Sequence, residues 1–340
     1  MDSEDQLVNR IAKAIPSWQG AVSPKSREGG LRLGIGDDSA VFSPDGKTDW
    51  VISCDAFLQD VHFLPDRHPP DSVGYKSLVR ATSDLAAMGA VPRLFLLTLA
   101  LPKTRLTSWL DGFLAGMGRA ARKMGMRLAG GDTTKFSAVS ISITVLGEIR
   151  RGLAVTRAGA KPGDLIYVSG RMGRAQLGLE LITKGFSKNR RYGPLLKPHL
   201  YPEIRLQLGA WLARHQIASA MMDISDGLST DLPRLCKASG VGARLIAAHI
   251  PCVEIPAGLE KLLPKRDLDP LQMALHGGED YELLFTVPPK KAKRLRAAPG
   301  FSELTAIGEI TKKKDLLIVS PDQTQAQELR SLGWDPFRKR

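Results

Sequence analysis

Aspartates that adjoin glycine or serine at the ends of apolar runs are the feature of this sequence that most limits its fold. Two of them, Asp37 and Asp38, are adjacent in LGIGDDSAVF (33–42), a stretch without lysine or arginine. Adjacent carboxylates repel each other, and a carboxylate beside core-forming residues is costly unless it is paired or bound to a metal ion. Such a loop therefore needs positive charge from a base or from a metal ion.

The same arrangement recurs in five further stretches, which are VISCDAF, ATSDLAAMGA, AGGDTT, MMDISDGLSTDL and HGGEDYELLF. Each of them alone is typical of a turn or a helix cap, but their recurrence indicates a shared site. Lysines and arginines do not accompany these acids one for one in the sequence. Magnesium prefers oxygen ligands, and histidine or cysteine clusters that would favour zinc do not occur in the sequence. The nearby glycines let backbone amides approach phosphate oxygens. The pattern predicts a polyphosphate site with several Mg²⁺ ions.

Size and cysteine usage favour a cytoplasmic protein of two domains. The chain has 340 residues, and its three cysteines lie far apart, which favours neither a disulfide framework nor a zinc site. The first residues are acidic and amphipathic, unlike a secretory signal, and no apolar run reaches the ~18 residues of a membrane span. We expect no membrane association.

The formal net charge is +13, and it has two interpretations. Basic residues can serve a polyanionic partner, or they can be scattered over the surface for solubility. The small basic clusters SKNRRYG, PKKAKRLR and FRKR contain no interleaved aromatic residues of the kind that single-strand binders use. We therefore expect no nucleic-acid partner.

Apolar periodicity predicts an α/β (α+β) protein whose two halves both contain helices and strands. Lys76 and Arg80 on the first long helix are expected to form i,i+4-type pairs. A Gly- and Pro-rich stretch near 150–160 predicts the domain boundary, and 185–202 is expected to be a long surface loop. The predicted helices and strands cover 72–89, 93–101, 104–125, 138–149, 164–169, 172–184, 203–215, 219–224, 228–239, 281–287, 290–297, 304–310 and 315–319.

The motifs together resemble the thiamine-monophosphate kinase family, a branch of the aminoimidazole-ribonucleotide-synthetase-like superfamily. The matching stretches include GIGDDSAVF, DAFLQDVHFLP, YKSLVRATSDLAAMGAVP, LAGGDTT, DISDGLSTDL and LHGGEDYELLFTVP, over about residues 31 to 288, and LGW at 332–334. The resemblance implies a two-domain fold and ATP-dependent phosphorylation of thiamine monophosphate to thiamine diphosphate. It implies an N-terminal ATP- and magnesium-binding and dimerisation domain (1–152), a C-terminal α/β domain (153–340) and a homodimer with ATP between subunits.

The resemblance also implies roles for individual residues. The implied ATP-binding residues are Gly131, Asp132, Arg157 and Ser225. The implied substrate-binding residues are His62, Glu279 and Trp334. The implied magnesium ligands are Asp38, Ser53, Cys54, Asp55, Asp84, Asp132, Asp223 and Asp226, and none acts as a general base.

Two stretches depart from the family pattern. Cys54 stands where threonine is common, and a thiol is a poor Mg²⁺ ligand, so only a carbonyl oxygen could serve there. GRMGRAQLGL (170–179) differs from the usual loop. His62, Arg157 and Trp334 could instead be packing or ion-pairing residues. The alternatives are another ATP-using superfamily member, of aminoimidazole ribonucleotide synthetase or selenophosphate synthetase type, and a basic, Mg²⁺-dependent polyanion-binding module.

Overall fold

Two β-sheets organise the computed structural model, which describes residues 4–15, 30–320 and 326–337. The first sheet has six strands in the order β1-β2-β3-β6-β4-β5, antiparallel except for the β4–β5 pair. Its strands are β1 (Gly30–Leu33), β2 (Ala40–Ser43), β3 (Thr48–Leu58), β4 (Val91–Leu101), β5 (Arg127–Lys135) and β6 (Ser140–Arg150). The helices that precede or follow these strands are α1 (Glu4–Ala14), α2 (Pro70–Ala87) and α3 (Ser108–Met124).

The second sheet has seven strands in the order β13-β12-β9-β11-β7-β10-β8, antiparallel except for the β9–β12 pair. Its strands are β7 (Leu165–Ser169), β8 (Ala220–Asp223), β9 (Gly242–Ile246), β10 (Leu283–Val287), β11 (Leu304–Thr311), β12 (Leu316–Val319) and β13 (Ala326–Glu328). The helices of this half are α4 (Arg174–Thr183), α5 (Gly193–Leu200), α6 (Leu206–Arg214), α7 (Leu228–Ser239), α8 (Pro270–His276) and α9 (Pro289–Ala292). The expected mixed α/β architecture is confirmed.

Helix α2 connects the two halves of the molecule and is buried on almost all sides. It packs on the first sheet and α3, and it also contacts α6 and β8 of the second half. The approach to α3 is so close that a Cβ on Gly74 would lie 1.9 Å from the Phe113 carbonyl oxygen, so only glycine fits there. The polar residues on α2 are consequently held at the junction between the halves.

The prediction of a long surface loop over 185–202 is wrong. The segment contains two 3₁₀ turns (Phe186–Lys188 and Arg190–Tyr192) and helix α5, which packs against α4. Pro194 lies in the first helical turn, where its missing N–H costs nothing, and Leu196, His199 and Leu200 are buried. The prolines and basic residues of this segment are typical of a loop, so its composition did not indicate an amphipathic helix whose apolar side faces the core.

The open face of the first sheet lies opposite α2. Phe42, Trp50 and Ile52 share this face with Leu96, and Phe42 and Leu96 are 38% and 39% exposed. The alternation predicted for 138–149 is present in β6, where every second residue is buried. One side of the sheet is thus covered by helices and the other carries accessible apolar side chains.

Candidate active site

Three carboxylates meet where the two halves join. Asp38 lies in the turn before β2, Asp84 in the last turn of α2 and Asp223 at the end of β8, and one oxygen of each lies within 4.8 Å of the others. The Ser83 hydroxyl donates to Asp223 at 2.6 Å, and the Ser53 hydroxyl donates to Asp84. Loop, helix and strand therefore each supply one acid to what we term the carboxylate cluster (Asp38, Asp84 and Asp223).

Three charged carboxylates this close together repel one another strongly when no cation lies between them. Burial, and then the charge of Asp38, raises the pKa of Asp223 to about 7. Burial raises the pKa of Asp84 well above its usual value, and Asp223 and Asp55 raise it further. Burial also raises the pKa of Asp38. Ions of this kind are stable in their charged form when a cation lies among them.

Basic partners for several of the acids come from distant parts of the chain, contrary to what the local sequence indicated. Arg157 bonds Asp38, with Nη2 at 2.6 Å, and Arg80 Nε lies 3.1 Å from Asp55. The prediction of i,i+4-type pairs for Lys76 and Arg80 is wrong, because Lys76 Nζ contacts Glu279 at 2.8 Å and Arg80 contacts Asp55.

The DISDG turn after β8 brings together four other predicted site residues. Asp231 accepts hydrogen bonds from the backbone N–H groups of Ser225 and Asp226, both at 3.0 Å, and Arg234 pairs with Asp226. The Ser225 carbonyl accepts from the Glu279 N–H at 2.7 Å, and the Asp226 carbonyl accepts from the Trp334 N–H at 2.9 Å. The turn therefore places Ser225, Asp226, Glu279 and Trp334 together.

His62 packs beside this region as a neutral imidazole. Its ring stacks on Phe57 with centroids 5.5 Å apart, and its Nδ1 accepts the Leu58 N–H at 2.9 Å. Burial, and then the nearby charge of Arg80, lowers the pKa of His62 to about 4. Nε2 therefore carries the proton of the neutral ring, which makes it a donor.

Cys54 does not point towards the carboxylate cluster. Successive side chains on a strand face opposite sides of the sheet, and Ser53 of β3 faces Asp84. Cys54 lies on the open face, with Sγ 3.6 Å from the Ser142 hydroxyl and 3.4 Å from the Thr144 hydroxyl. Its side chain is thus separated from the acids by the sheet itself.

Gly131 and Asp132 are on the exposed edge strand β5, and within one chain they are not brought to the carboxylate cluster. In the sheet, Asp132 of β5 lies opposite Thr98 of β4, Thr98 lies opposite Ser142 of β6, and Ser142 lies opposite Ala56 of β3. Three interstrand spacings, about 14 Å in all, therefore separate Asp132 from β3 at this level.

Comparison with known proteins identifies the family. The model of the N-terminal domain of AIR synthase related proteins matches residues 36–149, and that of their C-terminal domain matches 161–319. The chain is 39% identical over 290 residues to the thiamine-monophosphate kinase of Escherichia coli K12, covering 83% of this chain and 85% of that protein. It is 32% identical over 326 residues to that of Bacillus subtilis, covering 94% and 98%. The chain belongs to the thiamine-monophosphate kinase family.

Solved structures agree with the assignment of this chain to the kinase family. A structure titled AaThiL complexed with AMPPCP and TMP superimposes with a TM-score of 0.80 at 29% identity, covering 98% of this chain and 97% of that one. The thiamine-monophosphate kinase of Stenotrophomonas maltophilia gives a TM-score of 0.70 at 34% identity, covering 86% and 92%. The predicted family, enzyme class and two-domain fold are confirmed.

Sequence reasoning missed several polar residues around the site of this thiamine-monophosphate kinase family member. They are His68, His199 and Arg234, and also Lys76 and Arg80 in their actual pairings. The partners of His68, His199, Lys76 and Arg80 lie far away in the sequence or in a segment predicted to be a loop, so no local spacing indicated them. Arg234 differs, because it pairs with Asp231 at i,i+3 spacing. For Lys76 and Arg80 the available signal was their position on a helix whose other residues are mainly apolar or small.

Among the described residues, no helix combines the length and the apolar character that crossing a membrane requires.

Proposed function

We propose that this chain transfers the γ-phosphoryl group of ATP to the phosphate of thiamine monophosphate, giving ADP and thiamine diphosphate. The observation that carries the proposal is the carboxylate cluster, built from a loop, a helix and a strand in a member of a family of thiamine-monophosphate kinases. The AaThiL structure that resembles this chain is described as complexed with AMPPCP and TMP, which supports the same pair of ligands here.

The residues present fit hard divalent cations. Oxygen ligands converge without histidine or cysteine in the cluster, and Asp38 Oδ2 is buried with no hydrogen-bond partner in the described part of the chain. We assign Mg²⁺ ligation to Asp38, Asp55, Asp84, Asp132, Asp223 and Asp226, and to backbone oxygens of Ser53 and Cys54. Bound Mg²⁺ neutralises phosphate charge and supports an in-line displacement.

A general base is unnecessary in this reaction. The second pKa of a phosphate monoester is about 6, so the attacking oxygen is already ionised at neutral pH. His62, with a pKa of about 4, is neutral there and would donate a hydrogen bond rather than accept a proton. The chain's own residues therefore act by binding and alignment, which suits transfer between two anionic groups.

We assign the nucleotide to Gly131, Asp132, Arg157 and Ser225, and thiamine monophosphate to His62, Glu279 and Trp334. Arg157 supplies a half-buried guanidinium beside Asp38, and planar guanidinium groups suit phosphate oxygens. Glu279 and Trp334 both hydrogen-bond to the DISDG turn, which also contains the nucleotide residue Ser225, so both substrates would meet at this turn.

A homodimer accounts for the positions of Asp132 and of the open sheet face. The exposed apolar residues of the first sheet, Phe42 and Leu96 among them, need a second apolar layer, which a second copy of the chain would supply. We propose that Gly131 and Asp132 act at a site shared between subunits. We also propose a division into domains 1–152 and 153–340, and a cytoplasmic location.

ATP turnover with and without thiamine monophosphate tests the proposal. The expected result is ADP formation and thiamine diphosphate that both require thiamine monophosphate and Mg²⁺. ATP turnover that is as fast with selenide, or with an acyclic precursor of an aminoimidazole ribonucleotide, as with thiamine monophosphate would favour another activity of the superfamily. Binding of polyanions without any turnover would favour the non-enzymatic alternative.

A further inference from the structure

Three buried polar side chains lie next to Glu279 in the interior, and the function proposed above assigns no role to them. Lys76 and His199 are each 1% exposed, and His68 is 4% exposed. They come from α2, from α5 and from the segment that precedes α2. Burying a lysine and two imidazoles together is costly unless their polar atoms are satisfied, so their arrangement calls for an explanation.

The contacts form one chain that ends at the carboxylate. Lys76 Nζ lies 2.8 Å from Glu279 Oε2 and 3.3 Å from His199 Nε2, which lies 3.1 Å from His68 Nε2. The Lys76 ammonium can only donate, so His199 Nε2 is an acceptor and His68 Nε2 must carry the proton between the two rings, which leaves His68 Nδ1 to accept the Leu64 N–H at 3.1 Å. His199 Nε2 is then shared by both neighbours as their acceptor, and its own proton is on Nδ1, which faces Glu279 Oε2 at 3.4 Å without the geometry of a hydrogen bond.

The backbone of Glu279 is held in an unusual conformation. Its φ is +67° and that of Tyr281 is +51°, values that non-glycine residues rarely adopt. Hydrogen bonds from the Glu279 N–H to Ser225 and from the Tyr281 N–H to Ile224 keep the loop there. A conformation that costs energy persists only where its surroundings determine it, and such positions concentrate at binding sites.

The buried chain also keeps the carboxylate ionised. Burial raises the pKa of Glu279, but the charge and hydrogen bond of Lys76, together with the charge of Arg80, outweigh it and lower the pKa to about 2. Burial, and then Lys76, lowers the pKa of His199 well below its usual value, so the imidazole is neutral. The other titratable groups that face Glu279 are Arg80, His62, His68 and Tyr281.

One oxygen of this ionised carboxylate is left without a donor. Glu279 Oε1 is buried and has no hydrogen-bond partner within 4–15, 30–320 and 326–337, while about a fifth of the side chain (21%) is exposed. An unpaired, charged acceptor gains from a ligand N–H. A ligand that approaches the exposed part of the side chain can offer one once the carboxyl group turns Oε1 towards it about its broad terminal χ angle. Thiamine monophosphate has a single N–H donor group, the exocyclic amine of its pyrimidine ring.

We propose that Lys76, His199 and His68 are positioning residues that hold Glu279 as an ionised acceptor for the amino group of the substrate's pyrimidine. This inference rests on the proposed function, and it adds residues and a basis for selectivity to it. A site built to accept an N–H rejects an analogue that offers an oxygen acceptor instead, because two acceptors then face each other.

The test compares thiamine monophosphate with the analogue in which a carbonyl oxygen replaces the exocyclic amine. In the wild type, kcat/KM should be at least about 100-fold lower for the analogue. Lys76→Met should raise the KM for thiamine monophosphate by about 10- to 100-fold, because the carboxylate loses its cation and becomes protonated more easily. The KM for ATP should not change, and the preference for the amine should shrink, because a protonated Glu279 can donate to the carbonyl.

The pH profile gives a second readout that a purely structural role would not move. In the wild type, Glu279 should add no pH dependence to the KM for thiamine monophosphate from about pH 5 to 8, since its pKa is about 2, and the titration of the substrate phosphate is common to all variants. In Lys76→Met the pKa of Glu279 rises, so the ratio of its KM to that of the wild type should increase as the pH falls over that range. Glu279→Gln should raise the KM without this acid dependence, and adding Lys76→Met to it should raise the KM no further.

Matched variants separate positioning from folding. His199→Gln keeps an oxygen that can accept from Lys76 and should retain the amine preference, whereas His199→Leu should lose it. Ser77→Ala, a buried change on the same helix, should leave both KM values unchanged. Should Lys76→Met not fold, the two His199 variants carry the comparison.

Reduced melting temperature with unchanged KM values and unchanged amine preference in Lys76→Met and His199→Leu would overturn the inference. So would a wild type that accepts the analogue as well as thiamine monophosphate. A wild type that does not phosphorylate thiamine monophosphate at all would instead remove the proposed function, and this inference with it.

Discussion

The Arg157 guanidinium donates two hydrogen bonds to one carboxylate oxygen of Asp38, from Nε at 3.1 Å and from Nη2 at 2.6 Å, although 119 positions separate the two residues. The Arg157 N–H also donates to Asp37, at 3.1 Å. The adjacent aspartates therefore share one distant arginine, and Asp38 Oδ2 remains without a hydrogen-bond partner as far as the described residues go. Arg157 compensates part of the negative charge, and the rest is left for a metal ion.

Replacing Arg157 should weaken nucleotide binding selectively. Arg157→Gln should raise the KM for ATP by about 10- to 100-fold, because a charge-assisted hydrogen bond to phosphate is lost. The KM for thiamine monophosphate should stay close to that of the wild type. Steady-state kinetics with each substrate varied in turn measures both values, with Arg93→Gln, which removes a surface pair with Glu148, as the control. A lower melting temperature with both KM values unchanged would show that Arg157 only pairs with Asp38.

Without bound metal, the contribution of the carboxylate cluster to the free energy of unfolding should decrease as the pH rises. The pKa of Asp223 is about 7 in the folded metal-free protein, and burial raises that of Asp84 as well, whereas an aspartate in an unfolded chain titrates near 3.9. The folded state therefore binds more protons, so this contribution to the free energy of unfolding decreases as the pH rises from about 4 to about 7.

Bound Mg²⁺ should offset that loss. In calorimetry of EDTA-treated protein, Mg²⁺ should raise the melting temperature more at about pH 8 than at about pH 5.5, because protons compete with the ion for the carboxylates. Asp84→Asn should show a smaller Mg²⁺ effect at both pH values. An equal shift at both, or turnover that survives excess EDTA, would count against the metal assignment.

Two inactive variants should complement each other if the site is shared between subunits. Asp84→Asn and Asp132→Asn should each lose nearly all turnover, because each removes a proposed ligand of the bound cations. In a mixed dimer one site would carry both substitutions and the other neither. Unfolding and refolding an equimolar mixture should therefore restore about a quarter of wild-type activity, since half the dimers are mixed and half their sites intact.

The size of the recovered activity discriminates between the models. No recovery, with dimers present by light scattering, would place Asp132 and Asp84 in a site within one chain. Full activity of a monomeric species would contradict the homodimer.

Trp334 should determine the affinity for thiamine monophosphate rather than for ATP. Its N–H is bonded to Asp226 at 2.9 Å, and a Cβ on Gly333 would lie 2.1 Å from the Asp226 carbonyl oxygen, so the segment lies tightly on the DISDG turn. An aromatic face beside the thiazolium cation contributes ~0.5–2 kcal/mol, so Trp334→Ala should raise the KM for thiamine monophosphate by roughly 3- to 30-fold. Trp334→Phe should have a smaller effect. Unchanged KM values with a lower melting temperature would indicate packing alone.

The sequence by itself determined the chemical character of the site and most of the regular structure. The motifs around Asp38, Asp84 and Asp223 were recognisable as recurring acids beside glycine, serine and apolar residues, and the predicted segments 93–101, 138–149 and 304–310 correspond to β4, β6 and β11. These inferences depend on neighbouring residues and on the periods of helices and strands, which local sequence contains.

Only the tertiary structure decided which charges meet. Arg157 reaches Asp38, Arg80 reaches Asp55, and Lys76 reaches Glu279, and each pair joins elements that are far apart in the sequence. The helix α5 that brings His199 to Lys76 was hidden in a segment whose prolines and basic residues are typical of a loop. Electrostatic pairing depends on distance in space and on burial, and both are set by how α2 is enclosed between the two halves, so no spacing along the chain could have predicted them.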